Sequence, residues 1–365
     1  MRPVIVYRDH ILPRSEIAFM HRQYLGFDRL SPIWVGRRIT ADFEPGSLTL
    51  GPIFTGLGGA LFKQFGIVPH LGALQSLNAA CVHAQFGRGG ALALPLAKAL
   101  GVPLVVTFHG GDAHKSAHWG PFALQRLRMR AMIDYASVFV CVSEGVRRKL
   151  IERGVPAEKL VVHPIGVEIP PLVPRADAGD GMLFIGRFVE MKGLPVLVES
   201  MKLLRARGTK ARLVMIGDGP DRPAIAAALD GVANVELRGW QTQEQIAAAI
   251  TQARVVVIPS VVARSGETEG LPSVAMEAMR MATPVIASSD ASTEGLIRHG
   301  DNGLIVQSRN AAAFTDAIEH LLFDPTTALA LGAAGRATVE QDFNAAIQSH
   351  RLEDLLLSVA QPRPR

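Results

Sequence analysis

The sequence predicts an α/β fold in which two doubly wound parallel sheets, each in a domain of its own, face each other across a cleft. Short apolar runs alternate with helical patterns along the chain, and several of these runs are apolar without interruption. A proline-rich segment also divides the 365 residues near the middle. Uninterrupted apolar strands are typical of parallel sheets covered on both faces, and their alternation with helices predicts βαβ units.

The predicted strands fall into two groups, one on each side of the proline-rich segment. The first group covers 4–7, 80–83, 104–108 and 138–142, and the second covers 182–185, 213–216, 235–237, 255–258, 284–287 and 304–306. Helical patterns lie between many of them, for example at 145–153 and 194–207. We therefore expect two Rossmann-like domains.

The domain boundary is predicted where proline is frequent and no hydrophobic period is visible. This gives an N-terminal domain over 1–168, a linker over 169–180 and a C-terminal domain over 181–345. The remaining residues, 346–365, are expected to form a helix and tail that packs back towards the N-terminal domain. Ligands of parallel sheets bind beyond the carboxyl ends of the strands, so two facing sheets predict one shared site.

Composition excludes several classes of protein. With 48% hydrophobic and 19% charged residues the chain is expected to be globular, and no apolar run reaches the roughly 20 residues of a membrane span. The N-terminal stretch MRPVIVYRDH predicts a strand and not a secretory signal. Both cysteines, Cys81 and Cys141, stand in apolar surroundings, which predicts free thiols. The expected location is therefore the cytoplasm, including the inner face of the membrane.

The net positive charge lies in the first half, which has as many basic residues as the second half but fewer acidic ones. Residues 1–168 contain 19 Lys+Arg and 11 Asp+Glu, whereas the rest contain 19 and 22, and the whole chain has a net charge of +5. This asymmetry is consistent with an acidic partner or a membrane surface, and equally with an ordinary solvated surface. Nucleic-acid binding is not predicted, because no long basic run with interleaved aromatic residues occurs.

Two segments of the second half suit a diphosphate. After the strand at 182–185 come Gly186 and Arg187, and Lys192 then precedes a helix. An arginine fork and a lysine near a strand's carboxyl end can grip phosphate oxygens, although a solvated pair of cations has the same spacing. Gly217 follows the next strand and repeats the strand–glycine–helix arrangement, which is also that of an ordinary turn.

The segment SGETEGLPSVAMEAM, 265–279, places Glu269 and Glu277 eight positions apart. Pro272 predicts the start of a helix, with Glu269 in the preceding loop and Glu277 in the second turn. Amides at Leu271, Ser273 and Val274 could receive ligand oxygens, while the two carboxylates could accept hydrogen bonds from hydroxyl groups. The alternative is a loop glutamate and a solvated helical one.

A fourth segment, PLVVTFHGGDAHKSAH, ends an apolar strand at His109. A histidine beside glycine backbone suits contact with a sugar. A structural role for His109 and a metal site formed with Asp112, His114 and His118 are the alternatives. The metal site is disfavoured because the intervening glycines fit a ligand loop better.

These segments, in this order, resemble the GT-B glycosyltransferases, and specifically the large retaining family 4. Gly186-Arg187 with Lys192-Gly193 is similar to that family's donor-phosphate motif, and Glu269-Gly270-Leu271-Pro272 with Glu277 is similar to its E-x7-E motif. The stretches HAQFGRGGALALPLAKALGVPLVVTFHGGD and CVSEGVRRKLIERGVPAEKL most resemble members that build colanic acid and related bacterial exopolysaccharides. The resemblance runs from about residue 80 to 345, and it departs from the family at HILPRSEIAF, where many members have a Gly-Gly loop.

The resemblance implies transfer of a sugar from a nucleoside diphosphate sugar to a saccharide or polyprenyl-diphosphate-linked acceptor. It implies catalytic roles for His109 and Glu269 and an acceptor or N-domain cleft at Ser15, Gly110, Asp112 and Ser143. The donor-binding residues that it implies are Gly186, Arg187, Lys192, Gly217, Leu237, Arg238, Gly270, Leu271, Pro272, Ser273 and Glu277. No metal or other cofactor is expected. An epimerase or phosphorylase of the same fold and a nucleotide-sugar-binding protein are the alternatives.

Overall fold

The computed structural model describes residues 1–11, 19–36, 38–39, 48–49, 57–68, 70–114, 123–172, 179 and 181–360. Two units are present: Met1–Gly166 together with Ala345–Arg365 form the first, and Val167–Asn344 form the second. Ser15 and His118 lie outside the described residues. No helix in the described ranges has the length and hydrophobicity that crossing a bilayer requires.

The first unit is built on a parallel sheet that has seven strands in the described part of the chain, in the order β5-β3-β1-β6-β7-β8-β9. A separate parallel pair joins β2 to β4. The strands are β1 Arg2–Tyr7, β2 His10–Ile11, β3 Leu30–Gly36, β4 Arg38–Ile39, β5 Leu48–Thr49, β6 Val82–Gln85, β7 Leu104–Phe108, β8 Val138–Cys141 and β9 Leu160–Val162. Strands β6 and β7 are buried along their whole length, as expected of central parallel strands.

Helices connect these strands. They are α1 Leu57–Phe65, α2 Leu71–Ser76, α3 Gly87–Leu100, α4 Gly111–His114, α5 Ala123–Tyr135 and α6 Glu144–Glu152, and the last helix of the chain, α13 Ala345–Ala360, belongs to this unit as well. Leu352 and Leu356 of α13 join the core that Val4, Val6 and Trp34 form on β1 and β3. The C-terminal helix therefore completes the hydrophobic core of the first unit.

The second unit contains a six-stranded parallel sheet in the order β12-β11-β10-β13-β14-β15. Its strands are β10 Gly181–Ile185, β11 Arg212–Ile216, β12 Val235–Gly239, β13 Val255–Ile258, β14 Val285–Ser288 and β15 Leu304–Val306. Its helices are α7 Leu194–Ala206, α8 Arg222–Ala228, α9 Gln243–Gln252, α10 Ser273–Arg280, α11 Ala311–Phe323 and α12 Pro325–Asp342. Two hydrophobic clusters cover its faces, one under α7, α8 and α11 and the other under α9 and α10, and α12 contributes to both.

The predicted doubly wound α/β class is confirmed, and each predicted strand has a counterpart. The strand predicted at 80–83 begins two residues later, at Val82, although Ala80 and Cys81 already form backbone hydrogen bonds with Pro3 and Ile5 of β1. Strand β3 was not predicted, since Ser31 and Pro32 interrupt its apolar run. That omission matters because β3 lies next to β1 inside the sheet.

Candidate functional site

In the second unit, the residues that follow three strands approach one another at the carboxyl edge of the sheet. Gly217, after β11, has a φ of 129°, and a side chain there would lie 2.0 Å from the carbonyl oxygen of Gly186, which follows β10. Gly193 is likewise pressed against Pro259, which follows β13. The glycines predicted to contact a ligand thus also allow these loops to pack backbone against backbone.

A partly buried ion pair lies at this edge. Lys192, in a single 3-10 turn over Glu190–Lys192, donates a hydrogen bond to Glu269 Oε1. The hydroxyl of Ser260 donates to the same oxygen at 2.9 Å. The exposed fractions of the Lys192 and Glu269 side chains are 18% and 9%. The Glu269 carboxylate is therefore largely shielded from water, and one cation and one hydroxyl stabilise its charge.

Arg187 differs from Lys192 in its surroundings. Its side chain is exposed, and it forms neither an ion pair nor a hydrogen bond with the described residues. It follows Gly186 directly, two residues beyond β10. A guanidinium in this state is available to bind an incoming anion without first breaking a contact.

The predicted helix start is confirmed to within one residue. Pro272 is the N-cap of α10, whose first residue is Ser273, and Glu277 stands half-buried in the second turn. Leu271 packs against the adjacent core, and Gly270 is buried. The first amides of a helix have no intrahelical acceptor, so this end of α10 presents donors beside Glu269.

Two other predicted donor-binding residues lie elsewhere. Arg238 donates to both oxygens of Glu236, at 2.8 Å and 3.1 Å, and Glu236 also pairs with Arg212 at the first residue of β11. Leu237 packs against the hydrophobic core. The structure therefore groups Lys192, Glu269 and the start of α10, but it does not bring the side chain of Arg238 to them.

In the first unit, Asp112 holds the loop that follows β7. Its carboxylate accepts hydrogen bonds from the amides of Gly87, His109 and Gly110 at 2.9, 3.0 and 3.1 Å. Burial raises the pKa of Asp112 to about 6, although these amides oppose that increase. Ser143 accepts from the amide of Val146 and caps α6. The side chains of Asp112 and Ser143 thus bind backbone amides of the loop after β7 and of the first turn of α6.

His109 lies at the end of β7 between two aromatic rings. The ring centroids of Phe19 and Phe86 are 5.3 Å and 4.5 Å from its own, and its Nε2 is 2.7 Å from Oε1 of Gln85. Burial, followed by the charges of His83 and Arg8, lowers the pKa of His109 to about 3, so the ring is neutral near pH 7.

Sequence reasoning missed Ser260 and Gln85. Each stands at or just beyond the carboxyl end of a buried strand, β13 and β6 respectively, and that position is the feature that could have identified them. Of the residues in the metal alternative, His118 and the side chain of His114 lie outside the described part of the chain. Among the described residues no three His, Cys, Asp or Glu side chains converge as metal ligands.

Two family models match the chain. The model described as "Glycosyl transferases group 1" matches residues 179–324, and "Glycosyl transferase 4-like domain" matches residues 35–166. The amylovoran biosynthesis glycosyltransferase AmsK of Erwinia amylovora is 30% identical over 293 residues, which cover 76% of this chain and 69% of that protein. The putative colanic acid biosynthesis glycosyltransferase WcaL of Salmonella typhimurium is 27% identical over 290 residues, covering 76% and 70%.

Solved structures agree at the level of the fold. The HepE protein of Anabaena, crystallised with UDP and glucose, superposes with a TM-score of 0.77 at 16% identity and covers 98% of this chain and all of that one. The sucrose-phosphate synthase of Thermosynechococcus elongatus gives a TM-score of 0.74 at 19% identity, covering 98% and 99%. At these identities the similarity establishes a shared architecture alone.

Proposed function

The chain belongs to the group 1 glycosyltransferases, and from that membership we propose that it transfers a sugar from a nucleoside diphosphate to a hydroxyl with retention of anomeric configuration. It is a glycosyltransferase with the GT-B fold. The acceptor is a saccharide or a lipid-linked saccharide of a bacterial surface glycan. Two relatives, named for amylovoran and colanic acid biosynthesis, support this choice of acceptor class.

The observation that carries the proposal is the partly buried Lys192–Glu269 pair, at the edge of the sheet where the exposed Arg187 follows β10 and α10 begins. Negative charge grows on the leaving diphosphate in the transition state, and two cations with unpaired amides stabilise it. Glu269 orients the donor sugar and faces its developing positive charge, as the short-lived oxocarbenium ion requires. His109 holds a donor hydroxyl, and Glu277 accepts from the ribose diol.

The proposed chemical step is balanced without a redox partner. The bond between the anomeric carbon and the diphosphate oxygen breaks, and the acceptor oxygen bonds to the same face of that carbon. The acceptor's proton passes to an oxygen of the leaving diphosphate. Because protein cations neutralise the leaving group, no divalent metal takes part in this proposal.

Turnover of donor in the presence of acceptor tests the proposal. Purified protein is incubated with UDP- and GDP-sugars and polyprenyl-diphosphate-linked saccharides, with and without excess EDTA. We expect nucleoside diphosphate release that requires acceptor and survives EDTA, and a product whose anomeric coupling matches that of the donor. Binding of a donor without turnover on any acceptor would indicate a binding protein, and an inverted product or loss on chelation would refute retention or metal independence.

We further propose that the first unit docks on an anionic membrane surface, where a lipid-linked acceptor resides. Three apolar side chains, Phe65 at the end of α1, Ile67 two residues beyond it and Leu127 on α5, have exposed fractions of 71%, 55% and 67%. Arg128 of α5 donates to the carbonyl of Gln64, which joins the two helices. Arg126 and Arg130 of α5, with Arg153 at the end of α6, line a cavity of about 510 Å³.

Each cation near an anionic bilayer contributes about 1 kcal/mol, and inserted apolar side chains add to this attraction. Flotation with anionic and neutral liposomes at low and high salt tests the docking. Wild type should float with anionic vesicles at low salt, and the pair of substitutions Phe65→Ser and Leu127→Ser should abolish this. The matched control is Phe323→Ser in the second unit, also at a side chain 71% exposed. Equal flotation of all variants, or none with either lipid, contradicts the proposal.

A further inference from the structure

A continuous chain of hydrogen bonds crosses the interior of the first unit and ends at His109. His83 Nε2 lies 2.7 Å from Thr107 Oγ1, and His83 Nδ1 lies 2.8 Å from the hydroxyl of Tyr24. Gln85 Nε2 donates to that hydroxyl at 2.6 Å, while its Oε1 lies 2.7 Å from His109 Nε2. Four of these side chains are buried, and His109 closes the chain at the carboxyl end of β7.

The orientation of the Gln85 amide determines where each proton lies. Because the amide oxygen of Gln85 carries no hydrogen, His109 Nε2 must be the donor in that contact. The hydroxyl of Tyr24 accepts from Gln85 and gives its own proton to His83 Nδ1, which leaves His83 Nε2 to donate to Thr107. If the Gln85 amide were turned over, its NH2 group would donate to His109 Nε2 and the proton of His109 would lie on Nδ1. The position of that proton therefore distinguishes the two orientations.

His109 is held firmly enough for its tautomer to matter. Phe19 and Phe86 enclose the ring, and Asp112 binds the amides of His109 and Gly110. Burial lowers the pKa of His109 to about 3, so one ring nitrogen carries a proton and the other does not. Nδ1 is buried and has no hydrogen-bond partner among the described residues. A buried acceptor of this kind is unfavourable unless a ligand satisfies it.

We propose that Gln85, held in place by Tyr24, is a positioning residue that keeps the proton of His109 on Nε2 and leaves Nδ1 to accept a hydrogen bond from a hydroxyl of the bound sugar. The tautomer follows from the hydrogen-bond chain alone, whereas the sugar as ligand rests on the proposed function. In this arrangement the site favours a hydroxyl donor at that point and disfavours a group that can only accept. The selectivity of His109 is therefore determined by a residue that does not touch the ligand.

The tautomer is tested directly by nitrogen-15 NMR on the full chain without any ligand, with the His109 resonances identified by comparison with His109→Asn. We expect a proton on Nε2 and a bare Nδ1. A proton on Nδ1 would overturn the proposal. The nearly isosteric Gln85→Met removes both hydrogen bonds, and Tyr24→Phe removes the group that orients the amide, so both variants should show a mixture of tautomers. An unchanged pure Nε2–H form in both variants would equally overturn it.

Kinetics with monodeoxy donor sugars test the ligand contact. Gln85→Met should lower kcat/KM for the complete donor about tenfold, the effect of one neutral hydrogen bond, and should leave the affinity for free nucleoside diphosphate unchanged. For the one deoxy donor that lacks the contacted hydroxyl, wild type and Gln85→Met should be equal. The same loss with every donor would show that Gln85 only supports the fold. Should the protein transfer no sugar at all, the proposed function fails while the NMR result still decides the tautomer.

Discussion

Lys192 and Glu269 neutralise each other in a partly buried position, whereas Arg187 is exposed, so the two cations should respond differently to substitution. A diphosphate that binds Lys192 places it between two anions. Removing Lys192 leaves the Glu269 carboxylate buried with the Ser260 hydroxyl as its hydrogen-bond donor, which is unfavourable for folding as well as for binding. Removing Arg187 affects the ligand alone.

We predict that Arg187→Ala lowers transfer by about 100-fold or more, the effect of losing one electrostatic stabiliser, with an unchanged melting temperature. Lys192→Ala should lower transfer as strongly and also lower the melting temperature. Turnover, nucleotide affinity and calorimetry are measured on each variant. Arg207→Ala is the control, because Arg207 caps the far end of α7 and pairs with Asp316 and Glu319. Full activity and affinity in both site variants would exclude these residues from the site.

The two glutamates are predicted to separate binding from turnover. Glu277→Gln should weaken the binding of free nucleoside diphosphate, because the ribose diol is its proposed partner. Glu269→Gln should leave that binding nearly unchanged and lower kcat, since its proposed partner is the reacting sugar. Isothermal titration with free nucleotide and initial rates with the full donor distinguish the two. If both variants bound nucleotide with wild-type affinity, the proposed contact of Glu277 with the ribose would be wrong.

At the scale of elements, the loops after β10 and β11 can pack closely because one of them has no side chain at Gly217. An alanine there would place Cβ 2.0 Å from the carbonyl oxygen of Gly186, at a φ of 129°. The backbone at Gly186 must then shift, and the adjacent residue Arg187 shifts with it. Local packing of these loops and the geometry of the proposed phosphate site are therefore coupled.

Gly217→Ala is expected to destabilise the second unit by about 2 kcal/mol or more and to reduce transfer. Gly208→Ala is the matched control: its φ is also positive, at 79°, but no atom lies within 4 Å of the added Cβ. The control should lose about 1 kcal/mol and keep its activity. Calorimetry and initial rates are the measurements, and similar losses in both variants would mean that the close approach to Gly186 has no effect.

At the scale of the whole molecule, one buried carboxylate connects the last helix, α13, to the residues at the start of β3. Glu353 of α13 is fully buried and accepts from the amides of Asp28, Arg29 and Leu30, with a further bond from the Arg29 side chain. Burial acts to raise the pKa of Glu353, but these hydrogen bonds outweigh it and hold the pKa below its usual value. The carboxylate therefore stays charged and links α13 to the start of β3.

Glu353→Ala should destabilise the first unit by about 3 kcal/mol, because three backbone donors and one guanidinium lose their acceptor. The neighbouring Asp354→Ala is the control, since Asp354 also pairs with Arg29 but is 65% exposed, and such pairs contribute less than about 1 kcal/mol. Urea titration monitored by circular dichroism measures both. Equal stability of the two variants would show that α13 is held by its apolar contacts alone.

The amino-acid sequence by itself determined the fold class and most of the strands. Apolar runs such as Leu104–Phe108 and Val255–Ile258 are uninterrupted, and burial on both faces of a parallel sheet requires that pattern whatever the neighbours are. The start of α10 at Ser273 was likewise visible, because proline and glycine act on the backbone locally. The residues that could carry chemistry were found for the same reason: they follow strands at their carboxyl ends.

Only the tertiary structure decided which of those residues meet. Lys192 and Glu269 are 77 positions apart, and each was predicted to contact a ligand without the other. The chain from His83 through Tyr24 and Gln85 to His109 depends on which strands are neighbours in the sheet, and Arg238 meets Glu236 instead of the site. Hydrophobic period and turn residues are properties of a few consecutive positions, whereas these contacts arise from strand order and long-range packing, which no local pattern specifies.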